Sequence, residues 1–479
     1  MNRAVDAFAR EMSALADAGG PHHRRDSIAW LMLGVFPMIM STTIINVAVP
    51  DIKAYFHASH LQVQVLSSAF LAAVTTAMLL SGGLMGRLGV RATYRILCWG
   101  FALTGLIAAL LPPSGLNWLA LVRIVQGFLT GTSQSLAMLV IIQSFPTHLR
   151  GRAISLYGLG ITFSPIVGPF VGGLLTSSIG WQSLFLFTIP LVAASWWQVR
   201  QRLPLGAPDD LPRRMRWLPA LWLTLFISGL TGAFLFWFKH RDWALLAVGL
   251  MVAGMALFVR DQLRHRDEQV LNFELLKIPG VLAASLIGVT YGLGLFGTTY
   301  LLPVYLQDLG GWASWQAGTA LLPSGLMLAV MLYVGGAMTD RFSMRWTLFI
   351  GLMAFLVSNA AFLWRLEPVD LWWFVGITLV GRVGLGLTIP SLNAGATQVA
   401  PEAYASTITV MMGFFRALGG AVGVGLVGVL LELGHDRGTS ASLGLSQAYW
   451  VTFLAMTLTY LPALGAWHWM RPNPPKAAP

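Results

Sequence analysis

Three arginines stand inside apolar segments of this 479-residue chain, namely Arg123, Arg382 and Arg416. A charge near the centre of a membrane-spanning helix costs at least about 2.5–3.5 kcal/mol, so each should face water, a protein partner or a ligand. None of the 19 acidic residues lies in the middle of an apolar segment. Because these segments contain three arginines and no carboxylate in their middle, the sequence predicts a cavity for anionic or neutral molecules. An arginine bonded to backbone carbonyls is the alternative at each position.

Hydroxyl, amide and aromatic side chains in the same segments are further candidates for lining such a cavity. They are Ser41, Thr42, Thr43, Asn46, Gln126, Gln134, Thr298, Thr299 and Tyr300. A buried polar group needs a hydrogen-bond partner, which can be another helix, water or a bound molecule. Bonding between helices is therefore the competing interpretation for each polar group, and core packing is as good an interpretation for Tyr291, Phe296, Tyr300 and Tyr305. If transport is coupled to protons, a titratable side chain must carry them. Because no carboxylate lies in the middle of an apolar segment, Asp51, at the end of the first segment, is the best remaining candidate.

The composition places these residues in a membrane protein. Hydrophobic residues make up 56% of the chain and charged residues only 10%, whereas soluble domains carry about 25% charged residues. Crossing a bilayer takes roughly 20 apolar residues. Fourteen spans are predicted, near 28–50, 63–85, 96–112, 117–143, 153–175, 181–199, 216–236, 242–260, 279–305, 315–337, 347–364, 370–394, 405–431 and 447–470. The fold class is therefore all-α and polytopic, and spans 1, 4, 5, 9, 12 and 13 are expected to line the cavity.

The distribution of basic residues predicts the orientation in the bilayer. With a cytoplasmic N-terminus and alternating loops, 22 Lys and Arg residues lie on the cytoplasmic side and five on the opposite side. This distribution obeys the positive-inside rule. It predicts that the N- and C-termini are both cytoplasmic. It also explains the net charge of +11 without a nucleic-acid partner.

The chain repeats itself, which predicts two related halves. Gly82–Arg91 recurs as Gly336–Arg345, and Arg123 recurs as Arg382. Parallel halves are typical of transporters, with a substrate site near the bilayer midplane between them. The predicted organisation is a cytoplasmic segment (1–27), a six-helix bundle (28–200), a linker with two extra helices (201–278), a second six-helix bundle (279–470) and a cytoplasmic tail (471–479).

Two glycine-bearing basic loops are predicted to control the relative position of neighbouring helices. Their residues are Gly82, Arg87 and Arg91 in the first loop and Gly336, Asp340, Arg341 and Arg345 in its repeat. Ion pairs and contacts with helix dipoles can make such a loop a latch in one conformational state. A plain positive-inside loop is the alternative.

The fifth predicted span carries small residues at every fourth position, with prolines among them. The residues are Gly160, Ser164, Pro165, Gly168, Pro169, Gly172 and Gly173. Small residues at this spacing let helix backbones approach closely, and prolines kink a helix by removing backbone donors. We expect a sliding contact between the halves that seals the cavity from one side, with simple tight packing as the alternative.

Taken in order, these motifs resemble the fourteen-span drug:proton antiporter branch of the major facilitator superfamily. The resemblance spans the chain and is carried by Thr43-Ile-Ile-Asn46-Val-Ala-Val-Pro50, the Gly82–Arg91 loop, Arg123-Ile-Val-Gln126-Gly127, Gly168-Pro169-Phe-Val-Gly172-Gly173, Leu302-Pro303-Val-Tyr305-Leu-Gln307 and Arg416-Ala-Leu-Gly419-Gly420. The Gly-Pro-x-x-Gly-Gly element is characteristic of exporters in this superfamily. The chain departs from the pattern at Ser41, where the family usually has an acidic residue, at Gly86, where it usually has Asp, and at Gln182, where it usually has Arg.

The resemblance implies a major facilitator fold, made of two parallel six-helix bundles plus two inserted helices, in the bacterial inner membrane. It implies a secondary exporter of amphipathic small molecules that works by alternating access and is driven by the proton gradient. A periplasmic membrane-fusion protein is the partner that it suggests. The missing mid-span acid favours anionic or neutral substrates over cations.

Other functions compete with this expectation. A dedicated exporter of one metabolite, such as a siderophore, fatty acid or lysolipid, would have the same motifs. A non-transporting scaffold or sensor would leave the repeated loops and arginines without a purpose. A membrane enzyme would need His, Asp or Glu residues clustered at membrane depth, which the sequence lacks. The Gly-x-x-x-x-Gly-Lys-Ser/Thr loop is also missing, so we expect neither ATP nor another cofactor.

Overall fold

The computed structural model describes residues 25–144, 157, 164, 167–200, 217–236, 241–265, 273–367, 369–400, 404–435 and 444–470. All regular secondary structure in these ranges is helical. Gly160 and Pro165 of the predicted small-residue motif lie outside the described residues.

The described part of the first bundle contains seven helices. They are α1 (Arg25–Met40), α2 (Val49–Phe56), α3 (His60–Leu88), α4 (Val90–Ala109), α5 (Leu116–Ser144), α6 (Val167–Ile179) and α7 (Ser183–Val199). A 3-10 turn, Ile44–Ala48, joins α1 to α2, and the three pieces form one span, Trp30–Phe56. This span runs past the predicted end at residue 50 because Pro50 occupies the first turn of α2, where a missing backbone donor is tolerated.

Two inserted helices and a second bundle follow. The inserted helices are α8 (Trp217–Phe236) and α9 (Arg241–Arg264), and a single turn, α10 (Phe273–Leu276), leads into the second bundle. That bundle contains α11 (Pro279–Asp308), α12 (Ser314–Arg341), α13 (Met344–Phe362), α14 (Leu371–Gln398), α15 (Ala405–His435), α16 (Leu445–Leu458) and α17 (Leu461–Ala466), with a 3-10 turn at Trp467–Trp469.

Ten helical segments in the described part of the chain are long and apolar enough to cross a bilayer, and α3, which bends, makes eleven. Three shorter apolar helices lie at Val167–Ile179, Ser183–Val199 and Leu218–Leu230. The chain is therefore a multi-pass helical membrane protein. The count of fourteen spans stays a prediction.

Equivalent helices of the two bundles pack in the same pairs. In the first bundle α3 packs on α5, α4 on α5 and α1 on α7. In the second bundle α12 packs on α14, α13 on α14 and α11 on α17. These are the pairs that the sequence repeat makes equivalent, so the repeat extends from the motifs to the packing.

Glycines bring the paired helices into backbone contact. A Cβ atom on Gly127 of α5 would collide with the Phe70 carbonyl of α3, and one on Gly384 of α14 would lie 2.5 Å from the Phe355 nitrogen and 2.6 Å from the Gly351 carbonyl of α13. Lipid tails are as apolar as leucine, so helices in a bilayer associate through such close packing. The glycines are thus the main local signal for which helices pair.

We therefore expect Gly384→Ala to lower the stability of the protein in detergent by about 1–3 kcal/mol, the usual cost of overpacking a well-packed site. Gly376→Ala is the matched control on the same helix, because a Cβ there meets no atom within 4 Å. The control should be neutral or stabilising by up to about 1 kcal/mol. Thermal unfolding followed by tryptophan fluorescence measures both, and equal effects would contradict the packing argument.

Candidate functional site

A cavity lies between the two bundles. Helices α1, α3, α5 and α6 line one side, and α11, α12, α14 and α15 line the other. Its empty volume is about 920 Å³, including the part that is open to solvent. The predicted lining lacked α3 and α12, whose contribution is mostly apolar.

Two of the three predicted arginines reach this cavity. Arg382 on α14 and Arg416 on α15 both line it. An Nη2 hydrogen of Arg382 points to Thr299 Oγ1 at 3.4 Å, which is a long bond for a charged donor. Tyr291 lines the same cavity as the two arginines. Counted over the described residues, both arginines therefore keep donor capacity for a bound molecule.

The two sides of the cavity differ in charge. The second bundle supplies both arginines, whereas the first bundle presents apolar side chains such as Leu71, Val74 and Met78 of α3. The first bundle adds the polar groups of Thr42 and Gln134. Among the described residues, the lining contains no aspartate or glutamate. The arrangement suits a molecule with an anionic or polar end and an apolar body.

Arg123 does not line the cavity; it is completely buried within the first bundle. Its Nη1 donates to Ser41 Oγ at 2.8 Å and to Gln126 Oε1 at 3.3 Å, while its Nη2 donates to the Ser41 carbonyl at 2.8 Å. Its Nε donates to the Leu66 carbonyl at 3.4 Å, and the guanidinium lies 3.9 Å from the centre of the Phe70 ring. Arg123 thus holds the turn after α1 against α3 and α5. This is the alternative interpretation given above, in which the arginine bonds to backbone carbonyls.

The other polar candidates divide in the same way. Thr42, Gln134 and Thr299 line the cavity together with Arg382 and Arg416. Seven candidates do not line it, namely Ser41, Thr43, Asn46, Arg123, Gln126, Thr298 and Tyr300. Most of these seven bond within or between helices; for example, Thr298 donates to the Gly294 carbonyl at 2.7 Å. Tyr291 and Phe296 line the cavity, whereas Tyr300 and Tyr305 are packed in the core.

The bundles contact each other at one end of the cavity through a set of residues that we call the seal: Val47, Asp51, Pro169, Gly173, Gln307, Ser314 and Gly318. Ser314 Oγ donates to Asp51 Oδ2 at 2.9 Å, and Gln307 Nε2 donates to the Val47 carbonyl at 3.0 Å. A Cβ on Gly173 would lie 2.5 Å from the Ser314 carbonyl, and one on Gly318 would collide with the Pro169 carbonyl. The exposed Asp51 therefore belongs to the seal rather than to the cavity.

The small-residue motif also attaches α6 to the broken first span. A Cβ on Gly168 would lie 2.5 Å from Thr43 Oγ1, and one on Gly172 would lie 2.6 Å from the Ile44 carbonyl. Ser164 Oγ donates to the Phe36 carbonyl at 2.5 Å. The motif thus contacts the first bundle along one face and the second bundle through Gly173.

The two basic loops lie at the end opposite the seal, because α3 and α12 both begin at the seal end and end at a basic loop. Arg87 and Arg91 flank Gly89, whose φ of +80° permits the sharp turn between α3 and α4. In the repeat, Arg341 ends α12 and Arg345 lies in the first turn of α13, 4.9 Å from the centre of the Trp467 ring. Asp340 is exposed, and Gly82 and Gly336 lie within helices.

The sequence model of the Major Facilitator Superfamily matches residues 31–424. This chain belongs to the Major Facilitator Superfamily. A D-xylose-proton symporter of known structure superposes with a TM-score of 0.63 at 14% identity, covering 91% of this chain and 96% of the symporter. That likeness shows the major facilitator fold. The superfamily and this structural neighbour are transporters rather than enzymes.

Relatives within the superfamily bear the names of resistance proteins. A methylenomycin A resistance protein of Streptomyces coelicolor is 27% identical over 471 residues, which cover 95% of this chain and 94% of the relative. The fatty acid resistance protein FarB of Neisseria gonorrhoeae is 26% identical over 448 residues, which cover 86% of this chain and 83% of the relative. Both are bacterial proteins.

Arg123 and Arg382 occupy equivalent positions of the repeat but differ in their hydrogen bonds, and stability measurements can test this difference. We expect Arg123→Met to lower the free energy of unfolding by at least about 1–3 kcal/mol, because that is the cost of leaving one buried acceptor without its donor. Arg382→Met is the matched control and should cost little, because Arg382 makes a single long hydrogen bond to the described residues. Thermal unfolding of both variants in the same detergent provides the comparison. Equal losses would show that Arg382 is also a structural arginine.

Proposed function

We propose that this chain is a secondary active exporter of amphipathic small molecules, of the multidrug-efflux type, and that anionic or neutral substrates are favoured over cations. The observation that carries the proposal is the cavity between the bundles, which contains Arg382 and Arg416 and, among the described residues, no carboxylate. A cation in a low-dielectric cavity attracts an anion far more strongly than it does in water. A lipophilic cation would meet only repulsion from the two guanidinium groups.

The polarity of the cavity supports an amphiphile as the substrate. An anionic head would contact Arg382 and Arg416, while an apolar body would lie along Leu71, Val74 and Met78 of α3. A fatty acid has this chemistry, with one carboxylate on an apolar chain, and one relative is named a fatty acid resistance protein. A dedicated exporter of a single metabolite of this class is the second candidate, which a panel of substrates would distinguish.

Transport by purified protein in liposomes tests the substrate class. With an imposed pH gradient, we expect an anionic fluorescent amphiphile to move faster than a cationic one of similar size. Arg382→Gln and Arg416→Gln should each weaken apparent affinity for the anion by roughly tenfold to a hundredfold, because hydrogen bonds to charged groups contribute about 1.5–3 kcal/mol.

Arg382→Lys and Arg416→Lys are the matched controls, since each keeps the positive charge and loses only the forked geometry. They should retain more transport of the anion than the glutamine variants. Fast transport of the cation alone, unaffected by either glutamine substitution, would refute the anion preference.

We extend the proposal to the transport cycle. The seal closes one end of the cavity in this structure, and alternating access requires that it opens while the opposite end closes. We place both termini in the cytoplasm of a bacterium, with fourteen spans in the inner membrane and the seal on the periplasmic side. The proton gradient supplies the energy, without ATP or another cofactor, and a periplasmic membrane-fusion protein is the proposed partner.

Asp51 is the proposed coupling residue, because its carboxylate accepts a hydrogen bond across the contact between the bundles and is exposed at the seal. We expect Asp51→Asn to abolish acceleration of transport by a pH gradient while downhill exchange of the anion continues. Ser314→Ala is the matched control, because it removes the same hydrogen bond and keeps the titratable group. Loss of gradient response in both variants would assign Asp51 to the seal alone, and an intact response in Asp51→Asn would exclude it as the coupling residue.

A further inference from the structure

The two inserted helices form a tightly packed hairpin. A Cβ on Gly254 of α9 would lie 2.5 Å from the Phe226 nitrogen of α8, and one on Gly229 of α8 would collide with the Met251 nitrogen of α9. Backbones that approach this closely, at two points about one turn of helix apart, hold the two helices firmly together. We therefore treat α8 and α9 as one unit.

Helix α8 lies across the boundary between the bundles. It packs on α3 of the first bundle and on α15 of the second bundle. Those two helices contact each other near the seal end, where a Cβ on Gly428 of α15 would collide with the Gln64 side chain of α3. Both also line the cavity, through Leu71 and Arg416 among others. The hairpin thus stands behind one flank of the cavity wall.

The described contacts of α8 attach it mainly to the first bundle. Ala220 is buried in a cluster with Leu80 and Leu84 of α3 and with Phe128 of α5. One turn further along, Thr224 Oγ1 lies 3.4 Å from Thr76 Oγ1 of α3, within hydrogen-bond distance. The hydroxyl contact and the apolar cluster lie on the same face of α8, which holds the hairpin to α3.

The outer face of the hairpin suits lipid. On α9, the exposed fraction is 59% for Leu245, 54% for Leu246 and 58% for Val252. Apolar side chains that stay exposed in the folded chain are expected where a bilayer is the solvent. From lipid inwards, this flank therefore consists of α9, then α8, then the α3–α15 wall, and then the cavity.

We propose that the α8–α9 hairpin is a cover for the α3–α15 flank, and that it moves with the first bundle when the bundles change their relative position. This inference rests on the alternating access in the proposed function, but not on the identity of the substrate. When α3 and α15 shift past each other, a gap between them would admit lipid tails to the two cavity arginines. A hairpin held to α3 and lying over α15 covers that gap in every state.

Distances between spin labels test this assignment without transport. The labels go on three exposed positions, Leu103 of α4, Val357 of α13 and Leu246 of α9, as pairs of cysteine substitutions. The background is Cys98→Ala, since Cys98 is the only cysteine of the chain. Leu103 and Val357 occupy equivalent positions of the two bundles, so their separation reports the relative position of the bundles. The pairs with Leu246 report on the hairpin.

A second conformation, with the seal open, is needed for comparison. A tryptophan substituted for a glycine of the seal, which we call a wedge, should produce it. Gly173→Trp should hold the seal open, because even a Cβ atom there lies 2.5 Å from the Ser314 carbonyl. Gly318→Trp, on the opposite side of the same contact, is the second wedge. We expect either wedge to lengthen the Leu103–Val357 and Leu246–Val357 distances and to leave the Leu246–Leu103 distance unchanged.

The outcomes separate the two proposals. A constant Leu246–Val357 distance with a changed Leu246–Leu103 distance would mean that the hairpin moves with the second bundle, and changes in both would mean that it moves independently; each overturns the inference alone. A Leu103–Val357 distance that neither wedge alters would contradict alternating access itself, and the inference would fail with it.

Discussion

A guanidinium group inside a bilayer must be surrounded by oxygen atoms or by water, because hydrocarbon offers it nothing. The rest of this structure depends on how that requirement is met. Arg123 and Arg382 occupy equivalent places in the two halves, yet Arg123 has acceptors from Ser41, Leu66 and Gln126. Within the described part of the chain, Arg382 has one long bond, to Thr299. In the first bundle the arginine holds neighbouring helices together. The arginine of the second bundle lines the cavity instead.

Close backbone contact is the second constraint, and it works differently at different places. Within a bundle, glycines such as Gly127 and Gly384 bring helices together over a length that does not need to change. Between the bundles, Gly173 and Gly318 make the same kind of contact, but only at the seal end. The glycine contacts between the halves therefore lie where a hinge motion would have to break them.

Much of this arrangement can be predicted from the sequence, for identifiable reasons. The cavity positions of Arg382 and Arg416 follow from the cost of a charge in an apolar span, and the seal contact of Gly173 follows from small residues at helical spacing. The sequence alone could not decide that Arg123 is structural rather than part of the cavity lining. Its acceptors Ser41 and Leu66 are remote in sequence and become neighbours only through packing.

The contribution of α3 to the cavity was also missed. Leu71, Val74 and Met78 have the composition of any lipid-facing surface, and nothing local distinguishes a leucine that faces a cavity from one that faces lipid. The inserted helices pose the same difficulty. Their attachment to α3 depends on Ala220 and Thr224, which are ordinary residues of a membrane helix in sequence.

The chemistry of the seal also bears on how evenly the two ends of the cavity can be balanced. The seal consists largely of glycine contacts and of hydrogen bonds such as the one from Ser314 to Asp51. When such a surface separates, water can replace each of these hydrogen bonds, so breaking them costs little net free energy and the two conformations can be close in free energy. Each 1.4 kcal/mol of differential binding shifts such a balance by a factor of about ten. A weakly bound molecule is then enough to redistribute the population, which frees the cavity from having to bind any one compound tightly.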